Sequence, residues 1–424
     1  MTSFRFFHAA DIHLDSPLKG LANVESSVAE RIRSAPRAAF EALIENTIEE
    51  EVDFLVIAGD LYDGDWPDYK TGLFFAEQMG RLRQHEIPVY VLHGNHDAES
   101  RITKSLTLPD NVSVFSAREP QTFRLDKLDV ALHGQSYRER AVVDNLVPDY
   151  PPPVQHAFNI GVLHTALGDE GGAHANYAPC SLSELVENGY DYWALGHVHQ
   201  TKLLHEHPYV AFPGNLQGRH IRETGPKGAY LVTVEDGKVT TISMQEFDVV
   251  RWQALDVNVA SARNIEDVLE QMRQSLKDNI ETTSGRLLSA RLVLKGQTEL
   301  HGRLVHDLDF LNGQARAIAL GLGYEVAWVE RVVIETTPFT DNDVSTELLD
   351  TLNELKHYIN EAVEDEELIE ELKSNFGRLI SRLPHELRDS PDDEVLASVV
   401  KNDYTALVQQ VTPYLFSRLT AEDD

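Results

Sequence analysis

Five short blocks in this 424-residue chain gather carboxylates, an amide and imidazoles at close spacing: Asp11-Ile12-His13, Gly59-Asp60, Gly94-Asn95-His96-Asp97, His164 and Gly196-His197-Val198-His199. They offer two aspartates, an asparagine and four histidines as metal donors, with His96 left over. Oxygen combined with imidazole suits manganese, iron or zinc and suits an all-oxygen calcium site poorly. Each block alone is weak, because the chain has 18 histidines and a lone histidine is more often a surface or hydrogen-bonded core residue. That plainer reading is taken for His85, His156, His205, His207, His301, His357 and His385. His8, His93 and His133 lie near strand ends, where a satisfied core role or support behind a ligand is expected. Five blocks in order, each after an apolar run, outweigh any one of them.

Those apolar runs set the expected frame. Phe4 to Ala10, Phe54 to Ala58, Val89 to Leu92, Phe158 to Leu163, Tyr192 to Leu195 and Tyr209 to Phe212 read as buried strands, and Val28 to Glu50 reads as a helix. The helix carries an apolar stripe at Ile32, Ala35, Ala39, Leu43 and Ile48. Tyr230 to Ile242 reads as a closing hairpin around Gly237. The class is α/β, and every block falls at a strand's carboxyl end, where α/β folds place ligands. Period-two alternation is expected to turn both residues of Asp11-x-His13 and of His197-x-His199 toward one cleft.

A second unit runs from residue 251 to 338 as strand (Trp252 to Val259), helix (Ile265 to Ile280), strand (Arg286 to Leu294), helix (Leu308 to Leu322) and strand (Val326 to Ile334). Thr336 to Asp343 reads as a linker. Beyond it, residues 344–424 read as amphipathic helices through Leu348, Leu352, Leu355, Ile359 and Val363, then Leu368, Leu372, Leu379 and Leu383. The balance of 37 Lys and Arg against 69 Asp and Glu gives −32, which repels polyanions over much of the surface. It divides as −16 over residues 1–250, −2 over 251–340 and −14 over 341–424. The default reading of the acidic tail is a solvated face; the sharper one is an arm docking an apolar stripe on a partner. One cysteine, Cys180, excludes an intramolecular disulfide framework, and there is no run of 18 apolar residues and no signal-like start. A cytoplasmic protein without membrane spans is expected.

The five blocks together resemble the calcineurin-like metallophosphoesterases, with their D-x-H, G-D, G-N-H-D, H and G-H-x-H signatures, over about the first 245 residues. Within that superfamily Ala10 to Leu14, Gly59 to Asp63, His93 to Asp97 and Phe212-Pro213-Gly214-Asn215 are similar to the bacterial SbcD/YhaO-type DNA-repair exonucleases. The resemblance implies a nuclease domain (1–247) built as a β-sandwich flanked by helices, a small α+β capping domain (251–338) and a helical arm (344–424) that binds an SbcC-like ATPase. It implies that Asp11, His13 and His199 hold one divalent ion, that Asn95, His164 and His197 hold a second, and that Asp60 bridges them. Manganese is the first expectation, with iron or zinc as alternatives. Such a pair activates water and neutralises a phosphodiester for in-line attack. His96 would protonate the leaving oxygen or stabilise the phosphoryl group, and Asp97 would either orient its imidazole or serve a structural hydrogen bond.

Three departures carry weight. Asp63 stands where archaeal and eukaryotic repair members have histidine, which points to the bacterial branch, and Gly64 after it differs from protein serine/threonine phosphatases. Asn215 stands where many SbcD-like chains have serine. Substrate contacts are expected from Asn215, Arg219 and His220, with Arg222 and Lys227 near them, unless that stretch is an ordinary solvated loop; Arg33 and Arg37 read as surface charges. The leading expectation is a two-metal phosphodiesterase on DNA ends, with homodimerisation open. A small-molecule phosphodiesterase or phosphatase, and a non-catalytic scaffold, are the alternatives.

Overall fold

The computed structural model describes residues 3–16, 26–63, 69–99, 107–168, 177–323, 325–338, 358, 366–380, 394–404 and 406–408. These form two compact units: residues 1–253 with 280–289 and 325–328, and residues 254–279 with 290–324 and 329–424.

The first unit is built on two six-stranded sheets. The first sheet runs β12-β11-β1-β2-β3-β4, from β1 (Phe4–Ala9), β2 (Phe54–Ala58), β3 (Val89–Leu92), β4 (Val112–Val114), β11 (Gly228–Glu235) and β12 (Lys238–Glu246). The second runs β5-β6-β7-β8-β10-β9, from β5 (Gln121–Leu125), β6 (Val130–Gly134), β7 (Phe158–His164), β8 (Tyr192–Gly196), β9 (Lys202–Glu206) and β10 (Tyr209–Phe212). In each sheet the central strands pair in parallel, β1 to β4 and β6-β7-β8-β10. Their carboxyl ends therefore share one edge.

Both faces of the central strands are buried, which is why they read as continuous apolar runs. Phe6, Phe54, Val56 and Ala58 turn inward to meet Ile160, Val162, Tyr192 and Ala194 of the second sheet. Their sequence neighbours Phe7, Leu55 and Ile57 face outward onto α1 (Ser26–Glu49) and α2 (Tyr69–Gln84), through Phe40, Leu43, Phe75 and Met79. The outer face of the second sheet packs Trp193 and Leu195 on Leu185 of α4 (Leu182–Glu187). His8 and His133 are satisfied core residues as expected. His8 Nε2 donates to the Leu195 carbonyl (3.1 Å) and its Nδ1 accepts from the Tyr192 hydroxyl (2.9 Å). His133 bonds Thr122 and Asn159.

A three-stranded sheet follows in the order β13 (Val250–Asn258), β14 (Leu287–Gln297) and β15 (Ala327–Thr337). Its hydrogen bonds pair Leu287 with Val249 and Val259 with Lys295, then Leu288 with Val326 and Thr298 with Thr337. Partners advance together along the chain, so the strands are parallel, and α5 (Ile265–Thr282) and α7 (Leu308–Leu322) are the crossovers, with the short α6 (His301–His306) before α7. Thr336 and Thr337 belong to β15, not to a linker, because their backbones continue the ladder. Helices Glu366–Ile380 and Glu394–Val400 share a small core of Ile369, Leu372, Phe376, Ile380, Val399, Tyr404 and Leu407. Leu348, Leu352, Leu355, Ile359, Val363, Leu383 and residues 339–343 lie outside the described residues.

Arg33 is exposed, but Arg37 is not a plain surface charge. It forms a two-pronged ion pair with Asp15 while its guanidinium lies 4.8 Å from the Phe74 ring centroid.

Candidate metal centre

Asp11 follows β1, Asp60 follows β2, and Asn95 and His96 open the short helix α3 (Asn95–Glu99) after β3. From the second sheet His164 ends β7, while His197 and His199 follow β8. All seven expected ligands thus arrive at one edge of the sandwich, and six of them are fully or almost fully buried, His199 being the partly open one.

The alternation argument fails at Asp11, His13 and His197, whose φ angles are +50°, +48° and +104°, and Asp60 shares this backbone at +51°. Left-handed backbone at a non-glycine residue costs roughly 1–3 kcal/mol each and collects at functional sites. Here it is held by a ladder between the two loops: Asp11 N–H donates to the Gly59 carbonyl (3.0 Å), His13 N–H to Asp60 (3.0 Å) and Leu14 N–H to Leu61 (2.9 Å). The side chains face the cleft because the chain is kinked at each of them, with Ile12 buried in the core between.

Two donor groups result. In the first, the Nε2 atoms of His13 and His199 lie 3.2 Å apart, with Asp11 Oδ1 3.9 Å from His199. His199 Nδ1 donates to the Glu223 carboxylate (2.7 Å), so its Nε2 presents a lone pair. His13 Nδ1 is buried with no hydrogen-bond partner and lies 3.7 Å from Asp63. In the second group His164 Nε2 sits 3.0 Å from Asn95 Oδ1 and 3.3 Å from Asp60 Oδ2, while its Nδ1 donates to the Ala58 carbonyl (3.0 Å). His197 lies in a cluster with His164 and Asp60, and its backbone N–H donates to Asp11 (2.9 Å). Asp60 touches both groups, standing 4.0 Å from His13 Nε2.

The electrostatics describe a set of donors short of positive charge. Burial pushes Asp11 up to about 6 and His13 down to about 4. Burial alone would raise Asp60 too, but the surrounding His164, His96 and His13 hold it well below the usual carboxylate range. His164 in turn, despite burial, is raised to about 9 by Asp60 and Asp11. The convergence of imidazole nitrogens, an amide oxygen and two buried carboxylates is a donor set that fits divalent cations.

His96 lies at the rim, 30% exposed, with its Nδ1 2.7 Å from Asp63 and its backbone N–H on Asp60 (3.0 Å). Burial disfavours its charge, but Asp60 and Asp63 outweigh burial and raise it above the ordinary histidine value. The carboxylate beside His96 is therefore Asp63. Asp97 instead accepts from the backbone N–H groups of Tyr62 (2.8 Å), Gly94 (3.0 Å) and Leu61 (3.2 Å), tying the second block to the third.

The expected substrate contacts divide. Asn215 is fully buried, and its amide donates to Glu223 (2.9 Å) and the Gln217 carbonyl (2.8 Å). Arg219 lies between Glu223 (3.2 Å) and Asp63 (3.7 Å), at the edge of the first donor group. His220 is 42% exposed and stands 3.7 Å from Glu223, and Arg222 is exposed. Lys227 is buried and donates to the His199 carbonyl (2.8 Å). This stretch is no solvated loop. Glu223, which accepts from His199, Arg219 and Asn215, was not singled out by the sequence; the usable signal is that a ligating histidine needs an acceptor on its second nitrogen.

A calcineurin-like phosphoesterase family model matches residues 4–201, the stretch that contains all seven donors. A second model, the middle domain of metallophosphoesterase YhaO, matches residues 252–337. The uncharacterized metallophosphoesterase YhaO of Bacillus subtilis is 37% identical over 308 residues, covering 70% of this chain and 72% of that protein. The chain belongs to the YhaO-type calcineurin-like metallophosphoesterases. It is also 28% identical over 313 residues to the DNA double-strand break repair protein Mre11 of Methanopyrus kandleri, across 64% of this chain and 62% of that one. The Mre11 protein of Archaeoglobus fulgidus is 26% identical over 244 residues, 52% of this chain and 51% of its own length. No helix among the described residues is long and apolar enough to cross a membrane.

Proposed function

We propose that the protein is a two-metal phosphodiesterase that cleaves DNA at broken ends in the cytoplasm, using manganese and working with an SbcC-like ATPase held by the C-terminal helices. The observation that carries this reading is the convergence of Asp11, His13, Asp60, Asn95, His164, His197 and His199 at one edge, with a raised, partly exposed His96 beside them. The two break-repair relatives support DNA as the substrate.

Asp11, His13 and His199 would hold one ion, Asn95, His164 and His197 the other, with Asp60 between. Ions held there would supply an activated water and neutralise the charge on the phosphoryl group. His96, whose charged form Asp60 and Asp63 favour against burial, would give its proton to the leaving oxygen. Arg219, anchored by Glu223, presents its guanidinium beside the first donor group to a non-bridging phosphate oxygen. Asp97 fixes the loops that carry Asp60 and Asn95.

The test is cleavage of linear duplex DNA with manganese. His96→Ala should lower the turnover rate about 10²–10⁴-fold while ion stoichiometry stays at that of the wild type. An unchanged rate would sink the assignment. A second reading, a small phosphodiester as substrate, is favoured by one observation: Lys227 is committed to the His199 carbonyl and Arg219 to Glu223, in a 250-residue segment of net charge −16. Hydrolysis of bis-p-nitrophenyl phosphate with intact DNA, with and without the ATPase, would select it.

A further inference from the structure

Resting on that metal-dependent reading, we infer that Glu223 is a positioning residue for one half of the metal centre, fixing His199 and the substrate-facing Arg219 as a single unit. Its carboxylate is nearly enclosed, with 7% of the side chain exposed. One oxygen takes the Nδ1–H of His199 (2.7 Å) and an Nη2–H of Arg219 (3.2 Å), with His220 Nε2 3.7 Å away. The other takes the backbone N–H of Arg219 (2.7 Å) and the amide of Asn215 (2.9 Å). The Arg219 Nη2 lies 3.4 Å from the same His199 nitrogen, so guanidinium, carboxylate and imidazole meet at one point, whereas the His164 ring is oriented by a backbone carbonyl.

The geometry has two consequences. A carboxylate on Nδ1–H fixes the imidazole tautomer, aims Nε2 at the donor group and makes it a stronger base. The same carboxylate meets a guanidinium, so the ion ligand and the phosphate-facing cation move together. Asn215 contributes by holding the second carboxylate oxygen of Glu223, which gives a structural reason for an amide at this buried position. Burial works against Glu223, but Arg219 and His199 hold its carboxyl well below the usual range.

Equilibrium dialysis of the full chain against manganese tests this without reading activity. The wild type should take up two ions. Glu223→Ala should weaken one of them about 10–100-fold and leave the other unchanged, and His199→Gln should give the same single-site loss. The combined variant should lose little more than either alone, since both act on one ligand. Glu223→Asp keeps a charge for Arg219 but draws it back from His199; it should reproduce the single-site loss even where the alanine variant does not fold. Two ions held with wild-type affinity by Glu223→Asp or Glu223→Ala would overturn the proposal, as would equal weakening of both. A wild-type chain that takes up no divalent ion would instead overturn the metallophosphoesterase mechanism and leave Glu223 without a ligand to position.

Discussion

The two halves of the metal centre are supported in different ways. Behind His164 stands backbone: its Nδ1–H bonds the Ala58 carbonyl in the middle of the sandwich, and the ring is fully enclosed. Behind His199 stands a side chain, Glu223, carried on the irregular segment between β10 and β11. The deep half is thus protected from side-chain substitution and exposed to any change of backbone bulk. The outer half has the reverse sensitivity.

The strongest way to break that contrast is through a glycine. A Cβ on Gly196 would lie 1.9 Å from the Ala58 oxygen and 2.9 Å from His164 Nδ1, so the very acceptor that orients His164 must move. Gly196→Ala is expected to weaken one ion about 100-fold and to cost about 3 kcal/mol of stability. Dialysis and a thermal melt would show both. In a Glu223 variant, by contrast, the affinity loss should come with the other ion. A Gly196→Ala protein that binds both ions normally would remove the distinction between the halves.

A smaller effect is expected at the rim, where His96 leans on Asp63. Both Asp60 and Asp63 favour the charged imidazole, so removing one of them lowers the pH at which the proton is lost. Asp63→Asn should leave two ions bound and move the alkaline limb of the rate profile to lower pH. A limb that stays in place would take the acid role away from His96.

Much of this centre was legible in the chain because ligands fall where parallel strands end, and buried strands advertise themselves as apolar runs. Phe54 to Ala58 and Val89 to Leu92 are found at those limits, and each is followed by its block. What was not legible depends on distance or on backbone shape. The partner of His96 is Asp63, 33 positions away in sequence, while the adjacent Asp97 turns to backbone amides; no local pattern separates the two. Glu223 lies 24 positions from His199, beyond β9 and β10, in a segment with no periodicity of its own. The left-handed kinks at Asp11 and His13 replace the alternation that their spacing suggested. The strand β5 has only partly buried or exposed residues and little apolar alternation, so the edge of the second sheet carried a weak signal.

The deep half also depends on how firmly the first sheet is tied to the second, and His8 is one such tie. It spans from β1 to the Leu195 carbonyl, next to Gly196, and to the Tyr192 hydroxyl. Burial pushes it down to about 3, so it stays neutral in the folded chain over the range where an unfolded chain takes up a proton. The folded value is the lower one, so the stabilisation is complete above about pH 6.5 and is lost as pH falls toward 3, at about 1.4 kcal/mol per pH unit for this one proton. His8→Gln can still donate to Leu195 and accept from Tyr192 but does not titrate. Urea unfolding of the metal-free chain between pH 7 and 5 should therefore show the wild type losing stability faster than the variant, with the gap widening on the acid side and closing near neutrality. Parallel curves for the two proteins would mean that His8 is protonated in the fold, and that the tie between the sheets is not made by a neutral imidazole.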